Sequence, residues 1–197
     1  MSPSKKKIIC IIQARMGSNR LPGKAIKKIS GVPCIDWVIQ RASLSENIDE
    51  IWLASTKKKE DKIFKKVAKR FKINLFRGST NNVLSRFYEI AMLSSGSHFV
   101  RITADCPLID HRIIDKAIKI CVNKNFDYVS NTLDRTFPDG LDVEVFSKKA
   151  LVKTYKKANH PFLKEHVTPY IHGQGPKILP KGNFKKFSIK NKSNYSK

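Results

Sequence analysis

Long apolar runs are missing from this sequence. The run at the N-terminus, in "MSPSKKKIICII", is interrupted by Gln13 and Arg15, far short of the roughly 18 to 20 residues that a membrane-spanning helix requires. It is also too short for the apolar core of a signal peptide. It reads as a first strand, and the protein as cytoplasmic with no membrane span.

Acidic residues are equally scarce. Asp and Glu number 16 against 39 Lys and Arg, a formal net charge of +23. Such an excess suits anionic partners. The lysines are nevertheless scattered through "TKKKEDKIFKKVAKRFK", "SKKALVKTYKK" and "KGNFKKFSIKNKSNYSK", without interleaved aromatics or a nucleic-acid-binding module. That scatter argues against nucleic acid as the partner, and a basic nucleic-acid-binding protein remains only the weaker alternative reading. The four cysteines, Cys10, Cys34, Cys106 and Cys121, form no C-x-x-C pair and have no histidine at zinc-finger spacing. Reduced, buried thiols are expected.

What is present is alternation. "KIICII", "EIWLAS", "INLFRG", "HFVRIT" and "FDYVSN" read as strands, and "KFSIK" as one more possible strand. Between them "PCIDWVIQRAS", "EDKIFKKVAKRF", "NVLSRFYEIAMLS" and "IIDKAIKICV" repeat apolar residues at helical spacing. The pattern predicts one α/β domain over residues 1–197, with a mostly parallel sheet covered by helices on both faces. In such sheets ligands collect beyond the carboxyl ends of the strands. Attention therefore falls on the loops after Ile12, after Thr103 and from Asn131 to Glu144.

The first of these, "IIQARMGSNRLPGK", is glycine-containing and basic but is not a P-loop. Gly17 and Gly23 are separated by five residues, and Ala25 stands where a P-loop carries its hydroxyl. Gly17 and Ser18 still allow close backbone approach and supply donors. Arg15, Arg20 and Lys24 bring three positive charges suited to phosphate oxygens. In "RITADCPLID", Asp105 follows a strand end at the same sheet edge and is placed to carry Mg²⁺, which takes one or two carboxylates with phosphates and water. Asp110 reads as a helix cap. In "TFPDGLDVEVFS" a turn leads into an alternating strand with Asp142 and Glu144 on one face. With Asp139 they form an acidic cluster suited to sugar hydroxyls. "LKEHVTPYIH" places Glu165 and His166 near a helix. Nothing resembles a Ser-His-Asp or Cys-His arrangement.

Together, "QARMGSNRLPGK", "FRGSTNNVLSRFYE", "RITADCPLID", "PDGLDVEVF" and "KEHVTPYI" occur in the order and spacing of the spore-coat polysaccharide biosynthesis protein F family. That family is related to the acylneuraminate and 3-deoxy-manno-octulosonate cytidylyltransferases. The resemblance runs from about residue 8 to residue 171. It implies a nucleotide-diphospho-sugar transferase fold, a Rossmann-like three-layer α/β/α sandwich. It also implies transfer of CMP from CTP to an acidic sugar of nonulosonic- or ulosonic-acid type, releasing pyrophosphate, in surface polysaccharide biosynthesis. On this chain Ala14, Arg15, Gly17, Ser18, Arg20 and Lys24 would bind the nucleotide, with Ser55, Thr56, Arg77, Gly78 and Arg86. Arg15, Lys24 and Asp105 would be catalytic, with Asp105 the magnesium ligand. Asn131, Asp139, Asp142, Glu144, Glu165 and His166 would fall on the sugar side.

A homodimer is implied as well, through the region from "TFPDGLDVEVF" to "YIH". The chain departs from the family at Asn82, where an aspartate is usual. Its C-terminus reads as shorter than the family's, since the late D-x-P-E-D-type segment with a second magnesium ligand does not occur before "KNKSNYSK". A truncated, non-catalytic partner subunit is accordingly the alternative reading.

Overall fold

The computed structural model describes residues 6–18 and 21–196. Its elements follow the chain as β1 (Ile8–Gln13), a small hairpin of β2 (Lys28–Ile29) and β3 (Val32–Pro33), α1 (Cys34–Ala42) and β4 (Glu50–Thr56). Next come α2 (Ile63–Phe71), β5 (Asn74–Gly78), α3 (Val83–Leu93), β6 (His98–Thr103), α4 (His111–Asn123) and β7 (Tyr128–Ser130). The last are β8 (Glu144–Ser147), α5 (Lys148–Lys157), α6 (Pro161–His166), α7 (Pro169–His172) and β9 (Lys186–Ser188).

Seven strands form one sheet in the order β5-β4-β1-β6-β8-β7-β9. β1 lies between β4 and β6 and runs parallel to both, so Gln13 stands beside Ala54 on one side and Thr103 on the other. β8 is antiparallel to β6 and β7, and β9 is parallel to β7. The sheet is thus mostly parallel, as expected. The reversed strand β8 brings its first residue, Glu144, beside Arg101 near the edge where β1 and β6 end.

β1 explains why the sheet needs helices on both faces. Ile8, Cys10 and Ile12 pack into one core with Ile35, Val38 and Ile39 of α1, Phe64 of α2 and Ile114 of α4. Ile9 and Ile11 point the other way, into a core with Phe87 and Ile90 of α3, Leu151 of α5, Leu163 of α6 and Ile171 of α7. The period of two that alternates side chains across a strand therefore builds a three-layer sandwich. Each such buried aliphatic side chain contributes about 1.5–3 kcal/mol over leaving it in water. All four cysteines are free and buried.

Chain order supplies the functional edge. From β1 the chain moves outward to β4 and β5, then crosses back to β6 on the opposite side of β1. The two outgoing loops diverge there and leave a crevice beyond the carboxyl ends of β1 and β6.

Helix starts are set locally. Asn82, Asp110 and Ser147 each accept a hydrogen bond from a first-turn amide of α3, α4 and α5. Asn82, the residue that departs from the resembling family, is thus a working cap, and Asp110 caps α4 as its position suggested.

Candidate functional site

The crevice is a cleft of about 460 Å³. Its walls come from the loop after β1 (Ala14, Arg15, Ser18, Lys24, Ala25), from the end of β6 (Arg101, Thr103, Ala104, Asp105), and from α3 and α6.

The loop after β1 folds on its own backbone. The Met16 carbonyl accepts from the amides of Ser18 and Gly23, both at 2.9 Å, closing a compact turn. Gly23 has a φ of 68°, a left-handed conformation that favours glycine. A Cβ added at Gly17 would meet no described atom within 4 Å, and Gly17 is not among the residues that line the cleft. Arg20 lies outside the described residues.

An unforeseen residue hangs this loop on the sheet. Asp61, 1% exposed, accepts the Met16 amide with Oδ1 at 2.7 Å. Its Oδ2 accepts both the amide and the hydroxyl of Thr56. Thr56 and Asp61 together thus fix the position from which Arg15 departs.

Two ion pairs cross the mouth of the cleft. Lys24 Nζ donates to Asp105 Oδ2, joining the first loop to the end of β6. Arg15 approaches Glu165 of α6 at 3.6 Å, with both side chains about half exposed. Such exposed pairs contribute only about 0–1 kcal/mol to stability. Burial pushes the Asp105 carboxyl up, but hydrogen bonds from Lys24 and Thr103 and the Lys24 charge outweigh it and hold the group below the usual carboxylate range.

Arg86 forms the inner wall. It is 2% exposed, donates Nη1 to the Ala54 carbonyl at 3.2 Å, and leaves Nε without a partner. Among the described residues no carboxylate forms an ion pair with it. Burial, and then the charge of Arg15, pull its pKa down to about 10, with Asp61 acting in the opposite direction. A buried cation without a carboxylate partner is costly to maintain.

The remaining nucleotide-side candidates sit behind the cleft rather than in it. Ser55 and Thr56 are fully buried, and Arg77 donates to the carbonyls of Thr56 at 2.8 Å and Lys58 at 2.6 Å. Gly78 lets Arg86 pass, because a Cβ there would lie 2.9 Å from Arg86 Cγ.

On the sugar side the structure divides the candidates. Glu165 and His166 line the cleft, and the His166 ring packs on Phe162 with centroids 4.3 Å apart. The other four do not line it. Asn131 clamps its own loop, donating to Leu141 O at 2.7 Å and accepting from Val143 N at 2.9 Å. Asp139 and Asp142 both pair with Arg135. Glu144 is buried, its oxygens taken by Arg101, Tyr128 and Thr168. The strand expected from Leu141 begins only at Glu144. Asp142 therefore lies in the preceding loop, and the expected shared acidic face does not form. In so basic a chain Asp139, Asp142 and Glu144 have each found a guanidinium.

Gln13, Arg101 and Thr103 also line the cleft and were not singled out from the sequence. The available signal was an arginine inside the otherwise apolar "HFVRIT". As to metals, no cluster of three His, Cys, Asp or Glu occurs among the described residues. Asp105 alone, hard-oxygened and at the rim, fits a Mg²⁺ whose remaining ligands are phosphates and water. Among the described residues no helix is long and apolar enough to cross a membrane.

Comparisons with known proteins agree with this geometry. The cytidylyltransferase family profile matches residues 9–190. An uncharacterized protein of Methanocaldococcus jannaschii is 42% identical over 84% of this chain and 67% of its own length. The spore coat polysaccharide biosynthesis protein SpsF of Bacillus subtilis is 31% identical over 83% of this chain and 69% of its own. The 8-amino-3,8-dideoxy-manno-octulosonate cytidylyltransferase of Shewanella pealeana is 29% identical, over 58% of this chain and 47% of its own. A solved cytidylyltransferase from Leptospira borgpetersenii superposes with a TM-score of 0.87 at 30% identity, covering 97% of this chain and 79% of that one. By its sequence, its three-layer fold and the basic cleft at its switch point, the chain belongs to the cytidylyltransferase family.

Proposed function

We propose that this protein transfers CMP from CTP to an acidic sugar of the ulosonic- or nonulosonic-acid type and releases pyrophosphate, a step in surface polysaccharide biosynthesis. The observation that carries the reading is Arg86, a buried cation without a carboxylate partner, set behind Arg15 and Lys24 in one cleft. A triphosphate supplies the missing anion. The names of the relatives support the acceptor class.

A hydroxyl of the sugar attacks the α-phosphorus and gives up its proton to solvent, and the bond to the bridging oxygen of the β-phosphate breaks as pyrophosphate leaves. No covalent enzyme intermediate is needed, so catalysis rests on positioning and on neutralising charge that grows on the phosphate oxygens. Arg15, Arg20 and Lys24 stabilise the leaving pyrophosphate, and Arg86 holds the triphosphate from within. Ala14, Gly17 and Ser18 offer backbone and hydroxyl contacts to the nucleotide, while Ser55, Thr56, Arg77 and Gly78 support this side from behind. Glu165 and His166 face the sugar, and Asn131, Asp139, Asp142 and Glu144 shape the loops beside it. Asp105 is the residue that would hold Mg²⁺, which when bound neutralises phosphate charge. Binding therefore exchanges partners, since Lys24 must leave Asp105 and Arg15 must leave Glu165. The same reading carries the expectation of a homodimer.

The test is pyrophosphate release from CTP in the presence of Mg²⁺ and a panel of acidic sugars. Release is expected with at least one, and Arg15→Ala or Asp105→Asn should lower it about 100-fold or more. Unchanged turnover in either folded variant would refute the site. CTP binding without release on any sugar would favour a non-catalytic partner subunit.

A further inference from the structure

β1 divides the cleft into two halves. β4 and β5, with Arg77 and Gly78, lie to one side, and β6 and β8 to the other. Arg101 belongs to the second half. It stands on β6 two residues before Thr103, on the same face, and lines the cleft with Gln13.

Its guanidinium is fixed along two edges. Nε donates to Gln13 Oε1 at 2.9 Å, and Nη1 donates to Glu144 Oε2 across the β6–β8 register. Glu144 does not serve Arg101 alone. Its Oε1 accepts the Tyr128 hydroxyl at 2.7 Å and the Thr168 hydroxyl at 2.6 Å. One carboxylate thus answers three donors, and the orientation of Arg101 is locked. Nη2 makes no hydrogen bond among the described residues. The other cleft cations, Arg15, Lys24 and Arg86, lie toward the triphosphate in the function proposed above.

We propose that Arg101 determines acceptor specificity: the open edge of its guanidinium reads the carboxylate of the acidic sugar, and Glu144 and Gln13 are its positioning residues. The inference rests on the cytidylyl-transfer reading and names which residue selects the acceptor. Nη2, the nitrogen left open, offers the incoming carboxylate a charge-assisted hydrogen bond in a fixed direction, which a flexible ammonium does not reproduce. Holding it in place before the sugar arrives lowers the entropic cost of binding. It also accounts for an ionised glutamate deep in the core, where the pair's location matters more than its contribution to stability.

The experiment measures binding by calorimetry to the full chain already holding a non-hydrolysable CTP analogue. The probes are 3-deoxy-manno-octulosonate and the same sugar with its carboxyl reduced to an alcohol. Wild type should prefer the carboxylate form about tenfold or more. Arg101→Lys and Arg101→Gln should bind the two forms within about threefold of each other, with CTP-analogue affinity unchanged. Lysine keeps a cation for Glu144, so that variant carries the test if glutamine unfolds the protein.

A preference retained in both variants, or a loss of nucleotide rather than sugar affinity, would overturn the assignment while leaving cytidylyl transfer intact. Absence of preference in wild type overturns it as well. Failure of the underlying reading shows separately, as absence of pyrophosphate release from CTP with any acceptor.

Discussion

The carboxylate of Asp61 accepts the amide of Met16 at 2.7 Å, so a residue just ahead of α2 holds the cleft's first loop. Removing that carboxylate in Asp61→Ala strands the Met16 amide and both Thr56 donors. Buried unsatisfied donors cost about 1–3 kcal/mol each. Taking the low end of that range for the three donors, the variant should lose about 3 kcal/mol, or roughly 6–12 °C in melting temperature for a chain this size. Nucleotide affinity should fall about tenfold even at temperatures where the variant is folded. A urea titration with parallel calorimetry reads both. An Asp61→Ala protein with a wild-type midpoint would show that the loop stands alone.

Arg86 makes the opposite bargain. Replacing it with Met removes a buried cation and leaves the Ala54 carbonyl still accepting from the Ala14 amide at 3.0 Å. Apolar replacement of a buried charge is neutral or stabilising by about 1–4 kcal/mol. Arg86→Met should therefore unfold no earlier in urea than wild type, yet bind CTP about 10- to 100-fold more weakly, as expected for one lost charge-assisted contact. A variant that is both unstable and fully CTP-competent would reverse the assignment of Arg86 from ligand site to core.

Gly78 controls the same side chain by its lack of one. A Cβ would stand 2.7 Å from a Phe76 ring carbon and 2.9 Å from Arg86 Cγ. Gly78→Ala should cost about 1–3 kcal/mol through overpacking. It should also weaken CTP binding by moving Arg86, and that further loss of affinity should be absent when Gly78→Ala is added to Arg86→Met, while the stability cost of the Phe76 contact remains. Additive effects in that double-mutant cycle would argue that the alanine acts elsewhere.

His98 sets a pH response away from the cleft. Burial, with a smaller contribution from the Lys6 charge, lowers its pKa from 6.5 to about 4. The folded state therefore prefers neutral imidazole, and the unfolded chain binds the extra proton between those values. Stability should rise with pH across the window from about 4 to 6.5 and level off above it, a span of about 3 kcal/mol. His98→Asn should flatten this slope in urea melts at pH 4.5, 5.5 and 7. An unchanged slope would assign the proton uptake to another group.

Much of the architecture was legible in sequence because strands and helices announce themselves locally. "HFVRIT" coincides with β6, and Asp105 stands at its end opposite Lys24 as its position suggested. Contacts distant in sequence were not legible. Nothing local distinguishes Asp61 from the other acid beside it in "KKKEDK", because its meaning lies in the Met16 amide. Arg135, which engages Asp139 and Asp142, lies in the same loop and was overlooked, whereas Glu144 looked free because Arg101, the guanidinium that engages it, is known only once β8 turns antiparallel to β6. Arg101 was hidden for the same reason.

The four buried thiols equip the molecule with its own clock. Burial pushes the Cys121 thiol up to about 12 and Cys106 to about 11, and raises Cys10 and Cys34 as well. None reacts readily with an alkylating reagent while the sheet is closed. Cys10 sits in the central strand, so its labelling rate counts openings of the whole fold. Cys34 donates to the Ala104 carbonyl at 3.4 Å, and Cys106 follows Asp105, so these two count openings of the cleft wall. The ratio of the two rates times motion at the nucleotide edge against unfolding of the scaffold, without a new cysteine being introduced.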